Sequence, residues 1–164
     1  MKIGVHGKEF KRESASFIQS IFQILTHHGV DLYVSSKFAG FLKQSAFKSF
    51  KWETYDPAQG VPDLTCLISI GGDGTLLESV THIGRTGIPV LGINTGRLGF
   101  LATISRDETE RALEDVLSKS YKLDKRALLR LDTETKIFGN LNFALNDFTV
   151  VKKDTSAMIT IHTF

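Results

Sequence analysis

The chain has a single cysteine, almost no net charge and no long apolar run, and each of these shortages excludes a class of protein. Cys66 is the one cysteine among 164 residues, which excludes an intrachain disulfide framework and a multi-cysteine metal site. Because Cys66 lies in an apolar run, we expect a buried structural thiol.

The charge and the apolar runs exclude further classes. The formal net charge is +2, and lysine and arginine are scattered, so neither nucleic acid nor an acidic membrane is indicated as a partner. No apolar stretch reaches transmembrane length, and Met1 leads directly into a strand without a signal peptide. The expectation is a soluble cytoplasmic protein.

Residues 64–75 read Leu-Thr-Cys-Leu-Ile-Ser-Ile-Gly-Gly-Asp-Gly-Thr and carry the clearest signal in the chain. The apolar run predicts a buried parallel strand, and Gly71–Gly74 predicts a turn. A helix follows, because Thr75 and Glu78 have the spacing of a capping box. Glycines between the carboxyl end of a strand and the amino end of a helix favour phosphate binding by free N–H groups and the helix dipole.

Asp73 is the exception within this turn, because a carboxylate repels phosphate. It therefore predicts another role, such as accepting a proton or binding a sugar hydroxyl. The alternative is a tight turn in which Asp73 hydrogen-bonds its own backbone.

A second glycine loop follows the next predicted strand, Val90–Ile93. Residues 94–101 read Asn-Thr-Gly-Arg-Leu-Gly-Phe-Leu. Two parallel strands joined through a helix should place both loops at the same carboxyl edge of the sheet, where open α/β sheets bind ligands. Phe100 and Leu101 would offer an apolar wall for a flat ring, or alternatively pack under the sheet edge.

The remaining pattern predicts an open α/β sheet, followed by a segment without helical periodicity. The predicted elements are strands at 2–5, 30–34 and 52–55, helices at 13–28 and 105–119, and two short turns within 38–50. The second helix has a capping-box pattern at Ser105 and Glu108, and His27 and His28 end the first one. We expect Trp52 to pack in the core.

From Tyr121 onward no helical period continues. Strand-like runs follow at 127–132, 142–145, 148–151 and 158–164. We therefore place the domain boundary near Ser120. The prediction is a Rossmann-like α/β domain over 1–119 and the beginning of an incomplete β-rich domain over 120–164.

Asn146 and Asp147 interrupt one of these strand-like runs, since both residues form strands poorly. The interruption is typical of a hairpin turn or a bulge. Alternatively, the pair offers the donors and acceptors that a ribose diol requires.

In order and spacing, these three motifs resemble the successive signatures of the NAD kinase family: Gly71–Thr75, then Gly92–Leu101, then Asn146-Asp147. The first motif alone also resembles those of diacylglycerol and sphingosine kinases and of phosphofructokinases. The second motif separates them, because lipid kinases have a Gly-Thr-Gly-Asn-Asp stretch where this chain has Asn94–Phe100.

The resemblance implies transfer of the γ-phosphoryl group of ATP, with Mg²⁺, to the 2′-hydroxyl of the adenosine ribose of NAD, giving NADP and ADP. It implies that Asp73 accepts the proton of that hydroxyl, and that Phe100 and Leu101 lie near adenine. It also implies that Asn146 and Asp147 hold the ribose and adenine of NAD. The resulting candidate nucleotide-binding residues are Gly71, Gly72, Asp73, Gly74, Thr75, Leu77, Asn94, Phe100, Leu101, Asn146 and Asp147.

No residue is predicted as a metal ligand, and a homodimer or tetramer is implied for the complete enzyme. The chain stops before the family's later Gly-Asp-Gly-Leu and Thr-Pro-Thr-Gly-Ser segments, and Ala157 stands where the family often has a basic residue. We therefore expect little or no activity from these 164 residues alone. The alternatives are a lipid kinase and a non-catalytic nucleotide-binding module.

Overall fold

The computed structural model describes residues 1–43, 45–96, 99–135, 137–151, 158 and 160. The chain divides into two compact units, Met1–Asp124 and Lys125–Phe164, each described by itself below. The domain limit that the sequence places near Ser120 stays a prediction.

The first unit is built on a parallel sheet of five strands in the order β3-β2-β1-β4-β5. The strands are β1 (Lys2–Gly7), β2 (Asp31–Ser35), β3 (Glu53–Tyr55), β4 (Cys66–Ile70) and β5 (Val90–Ile93). The helices are α1 (Ala15–His27), α2 (Ser36–Phe41), α3 (Asp73–Ile83) and α4 (Thr109–Leu117). Short 3₁₀ turns lie at Arg12–Ser14, Ser45–Phe47 and Pro57–Gln59. The predicted Rossmann-like open sheet is confirmed.

The core forms where the apolar strands meet the apolar faces of the helices. Strand β4 is buried along its whole length, as expected for a central parallel strand with both faces covered. Phe22 of α1 packs against Phe47 and Trp52, so the predicted packing role of Trp52 is confirmed. Cys66 is buried, as expected, and burial raises the pKa of its thiol. None of the described helices combines the length and apolarity needed to cross a bilayer.

The predicted start of α3 is wrong by two residues. The helix begins at Asp73 with Gly72 as its N-cap and without a side-chain cap. Gly72 adopts an extended backbone, so the helix can begin directly after the turn. Thr75 is consequently inside the first turn and buried, and Glu78 pairs with lysines instead of closing a capping box.

The capping box predicted for α4 forms only in part. Glu108 accepts hydrogen bonds from the amide and the hydroxyl of Ser105, at 3.1 and 2.6 Å. The Ser105 hydroxyl is therefore bound to the carboxylate rather than to a helix N–H group. The helix itself is shorter than predicted, spanning Thr109–Leu117.

The second unit contains an antiparallel pair of short strands, β6 (Leu129–Arg130) and β7 (Phe143–Ala144), within two of the predicted strand-like runs. A strand predicted at 148–151 is not observed, because no described neighbour pairs with these exposed residues. Most of the run predicted at 158–164 lies outside the described residues.

Candidate active site

The two glycine loops meet at the carboxyl edge of the sheet, as the sequence predicts. Strands β4 and β5 are parallel neighbours with Ile70 opposite Ile93, so both chains leave the sheet at the same edge. The amide of Gly71 donates a hydrogen bond of 2.9 Å to the Ile93 carbonyl and joins the two loops. The strand order reverses between β1 and β4, which is where open α/β sheets form a ligand crevice.

The Asp73 carboxylate fastens the second loop to the start of α3. Oδ2 accepts the amide of Phe100 at 2.9 Å, and Oδ1 accepts the amides of Leu101 and Ala102 at 3.0 and 2.9 Å. A β-carbon at Gly99 would collide with this carboxylate, so the loop needs glycine there. Among the described residues, no hydrogen bond joins the Asp73 carboxylate to its own turn, which was the alternative.

These hydrogen bonds set the chemistry of Asp73. Hydrogen bonds from the amides of Ala102, Phe100 and Leu101, with that of Ala102 contributing most, lower the pKa of the Asp73 carboxyl. The group is therefore ionised at neutral pH. A carboxylate has about four acceptor positions, and the three amides leave one on Oδ2. That position can accept a hydrogen bond from a hydroxyl.

The glycines of the turn differ in what a side chain would meet. Gly71 has φ of +154°, and a β-carbon there would contact the Thr75 hydroxyl. Among the described residues, a β-carbon at Gly72 would meet nothing within 4 Å, and one at Gly74 would meet only the Lys8 Nζ, at 3.9 Å. Gly72 and Gly74 thus leave an open surface at the uncapped N-terminus of α3, where N–H groups attract anions.

Other predicted residues shape the loops. Asn94 is buried, and its Oδ1 accepts the amide of Gly96 at 2.8 Å while its Nδ2 donates to the Ala102 carbonyl at 3.4 Å. Leu77 is half-buried on α3. Phe100 is 95% exposed, so its ring does not pack under the sheet edge. Their contacts with a nucleotide stay predictions.

The third predicted motif belongs to the second unit. Asn146 and Asp147 are exposed and follow β7, with a bend at residues 145–146. Arg97 and Leu98 of the second motif, and Ala157, lie outside the described residues. A cavity of about 310 Å³ in the second unit contains none of the predicted site residues. Its lining residues are Leu131, Asp132, Thr133, Ile137, Phe138, Gly139, Asn140 and Asn142.

Sequence reasoning missed Lys8 at this edge. The Lys8 Nζ donates to the Gly74 carbonyl at 3.3 Å and pairs with Glu78 at 3.1 Å, which brings a cation to the glycine turn. Its position directly after a strand that ends in Gly7 was the available signal, because β1 ends at the same edge as β4.

Arg106 was also missed. Its Nε and Nη2 donate to the Thr95 carbonyl at 3.1 and 2.6 Å, and Nη2 also donates to Ser14 Oγ at 2.9 Å. The guanidinium lies 5.0 Å from the centre of the Phe17 ring. No local sequence signal distinguishes Arg106 from an ordinary surface arginine.

Comparison with known proteins assigns the family. The family model described as the ATP-NAD kinase N-terminal domain matches residues 3–121. The chain belongs to the ATP-NAD kinase family. This assignment favours the NAD kinase interpretation of the first motif over the lipid kinase interpretation.

Similar proteins are longer than this chain. The NAD kinase of Cytophaga hutchinsonii is 44% identical over 170 aligned residues, covering 100% of this chain and 56% of the relative. The NAD kinase of Bacteroides fragilis strain ATCC 25285 is 37% identical, with coverages of 99% and 56%. The chain thus spans about half the length of the curated relatives it matches.

A solved structure supports the fold. Yeast NADH kinase complexed with NADH matches with a TM-score of 0.66, covering 79% of this chain and 41% of that chain. The sequence identity is 23%, so this likeness concerns the fold alone.

Proposed function

We propose that this chain is the N-terminal part of an NAD kinase, which transfers the γ-phosphoryl group of ATP to the 2′-hydroxyl of the adenosine ribose of NAD. Family membership and the names of the relatives support this function. The observation that carries it is the Asp73 carboxylate, which joins both glycine loops at the sheet edge and keeps one acceptor position on Oδ2.

In the proposed reaction, the ribose hydroxyl donates a hydrogen bond to Asp73 Oδ2. Its oxygen attacks the γ-phosphorus, the proton passes to Oδ2, and the bond from the γ-phosphorus to the bridging oxygen breaks with its electron pair leaving on ADP. The N–H groups at the start of α3 and the ammonium of Lys8 stabilise the phosphate charge.

The family implies Mg²⁺ with ATP. The Asp73 carboxylate of the turn does not fit a protein-held Mg²⁺ ion, because it already accepts three backbone amides. No step of the proposed reaction therefore passes through a metal held by this chain.

The proposed contacts with the adenine and ribose groups rest on the family resemblance. We assign the exposed Phe100 ring to stacking on an adenine, and Asn146 and Asp147 to the ribose and adenine of NAD. A second, NAD-binding domain beginning near residue 120, assembly into dimers or tetramers, and a cytoplasmic location belong to the same proposal.

The test is the variant Asp73→Asn in the chain completed with the C-terminal part of the Cytophaga hutchinsonii relative. We expect turnover of NAD to fall roughly 100-fold, as loss of a positioned base does, with nucleotide affinity largely kept. Both are measured, NADP formation by a coupled assay and nucleotide affinity by calorimetry.

The control variant is Gly99→Ala, which disturbs the loop contact but keeps the carboxylate. Equal losses of turnover and affinity in both variants would assign Asp73 to loop positioning alone. Near-normal turnover in Asp73→Asn would remove it from the reaction. Binding of ATP and NAD without any turnover by the completed chain would overturn the kinase assignment in favour of a nucleotide-binding module.

A further inference from the structure

A polar cluster lies between β1 and α3, outside the residues of the proposed kinase site. His6, on β1, is completely buried, and its Nδ1 is 2.8 Å from Ser35 Oγ. Its Nε2 is also buried and has no hydrogen-bond partner among the described residues. The same holds for the hydroxyl of Ser69, which is opposite His6 on β4. A buried donor or acceptor without a partner is costly, so this position calls for a ligand.

Two further side chains of α3 complete the cluster. Glu78 and His82 are four residues apart and therefore lie on the same face of the helix. The Oε1 of Glu78 is 3.9 Å from His6 Nε2, and the rings of His6 and His82 are 4.3 Å apart between centroids. One potential ligand atom from each of the three residues lies within 4.8 Å of the others.

Both imidazole rings are oriented through Nδ1. His6 Nδ1 contacts Ser35 Oγ, and His82 Nδ1 is 3.0 Å from the Tyr55 hydroxyl. These contacts leave Nε2 of each ring as the nitrogen for a further ligand. A hydrogen bond to the second nitrogen is the usual way in which proteins fix a metal-binding histidine.

We propose that His6, Glu78 and His82 bind a divalent transition metal of the zinc class, with water as the fourth ligand. Two imidazoles and one carboxylate form a ligand set that suits Zn²⁺, although the sequence predicted no metal ligand in this chain. Ligand atoms around a tetrahedral zinc ion lie about 3.3 Å apart, so the cluster must contract slightly. Glu78 and His82 are only half-buried and can move toward the fixed His6 ring.

Two lysines compete with the metal for Glu78. Lys8 and Lys37 pair with its carboxylate at 3.1 and 2.9 Å, and their side chains are 47% and 60% exposed. Exposed ion pairs of this kind are weak, so either lysine can turn into solvent. Their positive charges nevertheless oppose a cation, and removing one of them should strengthen metal binding.

The test is a zinc titration of the chelator-treated chain against a chromophoric competitor, with Co²⁺ absorption to report tetrahedral geometry. We expect one equivalent of Zn²⁺ to bind. Affinity should fall at least about 10-fold in His82→Gln and in His6→Gln, and should rise in Lys37→Met. If the variant of the buried His6 does not fold, the zinc affinity of His82→Gln decides the test. His82 is only half-buried, so its substitution should leave the fold intact.

The matched control is the double variant His27→Gln with His28→Gln. These exposed histidines are neighbours at the end of α1, with ring centroids 5.7 Å apart, and are an alternative surface site for zinc. Binding that survives in the control and is weakened in His82→Gln supports the proposal. Absence of stoichiometric binding, an unchanged affinity in His82→Gln, or loss of binding in the control would overturn it. None of these results depends on NADP formation.

Discussion

Glycines at the sheet edge fall into two groups, according to what a side chain would meet there. A β-carbon at Gly71 or Gly99 would collide with a neighbouring side chain of the protein, so these two glycines serve the fold. Where the structure describes the chain, a β-carbon at Gly72 would meet no other atom within 4 Å, and one at Gly74 would meet only the end of the Lys8 side chain. The second group leaves room for something outside the chain, which we propose to be nucleotide phosphate.

The variant Gly74→Ala should separate ligand binding from stability. Gly74 lies in the first turn of α3, where alanine is the better helix former, so the free energy of unfolding should rise by about 0.5–1 kcal/mol. The added methyl group should crowd a bound phosphate and weaken nucleotide affinity roughly 10-fold, as overpacking commonly does. Urea denaturation and calorimetric titration measure the two effects.

Gly40→Ala is the control for this variant. Gly40 lies within α2, and a β-carbon there would also meet no atom of the described residues within 4 Å. Its substitution should stabilise the chain and leave nucleotide affinity unchanged. An unaltered affinity in Gly74→Ala would show that this glycine is not needed for ligand approach.

The position of Asp73 at the sheet edge was predictable from the sequence, but its hydrogen-bond partners were not. A lone carboxylate in a glycine turn indicates a special role, and the strand before it fixes its place at the sheet edge. The three amides that it binds are 27 to 29 residues away, so no local sequence pattern predicts these hydrogen bonds. His6 escaped notice for the same reason, because Ser35, Glu78 and His82 become its neighbours only through the fold.

Arg106 connects elements that are distant in sequence. Its guanidinium joins the loop after β5 to Ser14, immediately before α1, and packs on the Phe17 ring. The loop it holds begins at Asn94 and leads to the amides that bind Asp73. Arg106 is therefore a positioning residue for the second glycine loop.

The variant Arg106→Lys should lower both stability and turnover. Lysine keeps the charge but cannot bind Thr95 and Ser14 through one planar fork, so we expect a loss of roughly 1 kcal/mol in the free energy of unfolding. In the completed chain, turnover should fall because the loop is less well positioned. Arg85→Lys, at an exposed position just after α3, is the control. Equal behaviour of the two variants would contradict this role.

Secondary structure in the first unit was predictable because strong apolar periods mark its strands and helices. The residues at which the helices start were harder to predict. For α3, the capping-box spacing of Thr75 and Glu78 is present, yet the extended backbone at Gly72 lets the helix begin earlier. Glu78 then lies beside Lys8 and Lys37, contacts that only the assembled sheet creates.

At the scale of the whole molecule, the two units differ in how much structure they contain. The first has a five-stranded sheet covered by helices, whereas the described part of the second has two strands of two residues each. Isolated strand pairs of this size are marginal in water. The second unit also exposes large apolar side chains, among them Ile137, Phe138, Leu141, Phe148, Val150 and Val151.

We therefore predict that the 164-residue chain forms NADP at least about 100-fold more slowly than the chain completed with the C-terminal part of a relative. Its relatives carry nearly as much sequence again, and the exposed apolar groups of the second unit would pack against such a segment. The rates are compared at equal concentrations of ATP and NAD, with thermal unfolding recorded to show that the first unit is folded in both proteins. Comparable rates would contradict this prediction, because they would mean that the 164 residues bind both substrates without a C-terminal segment.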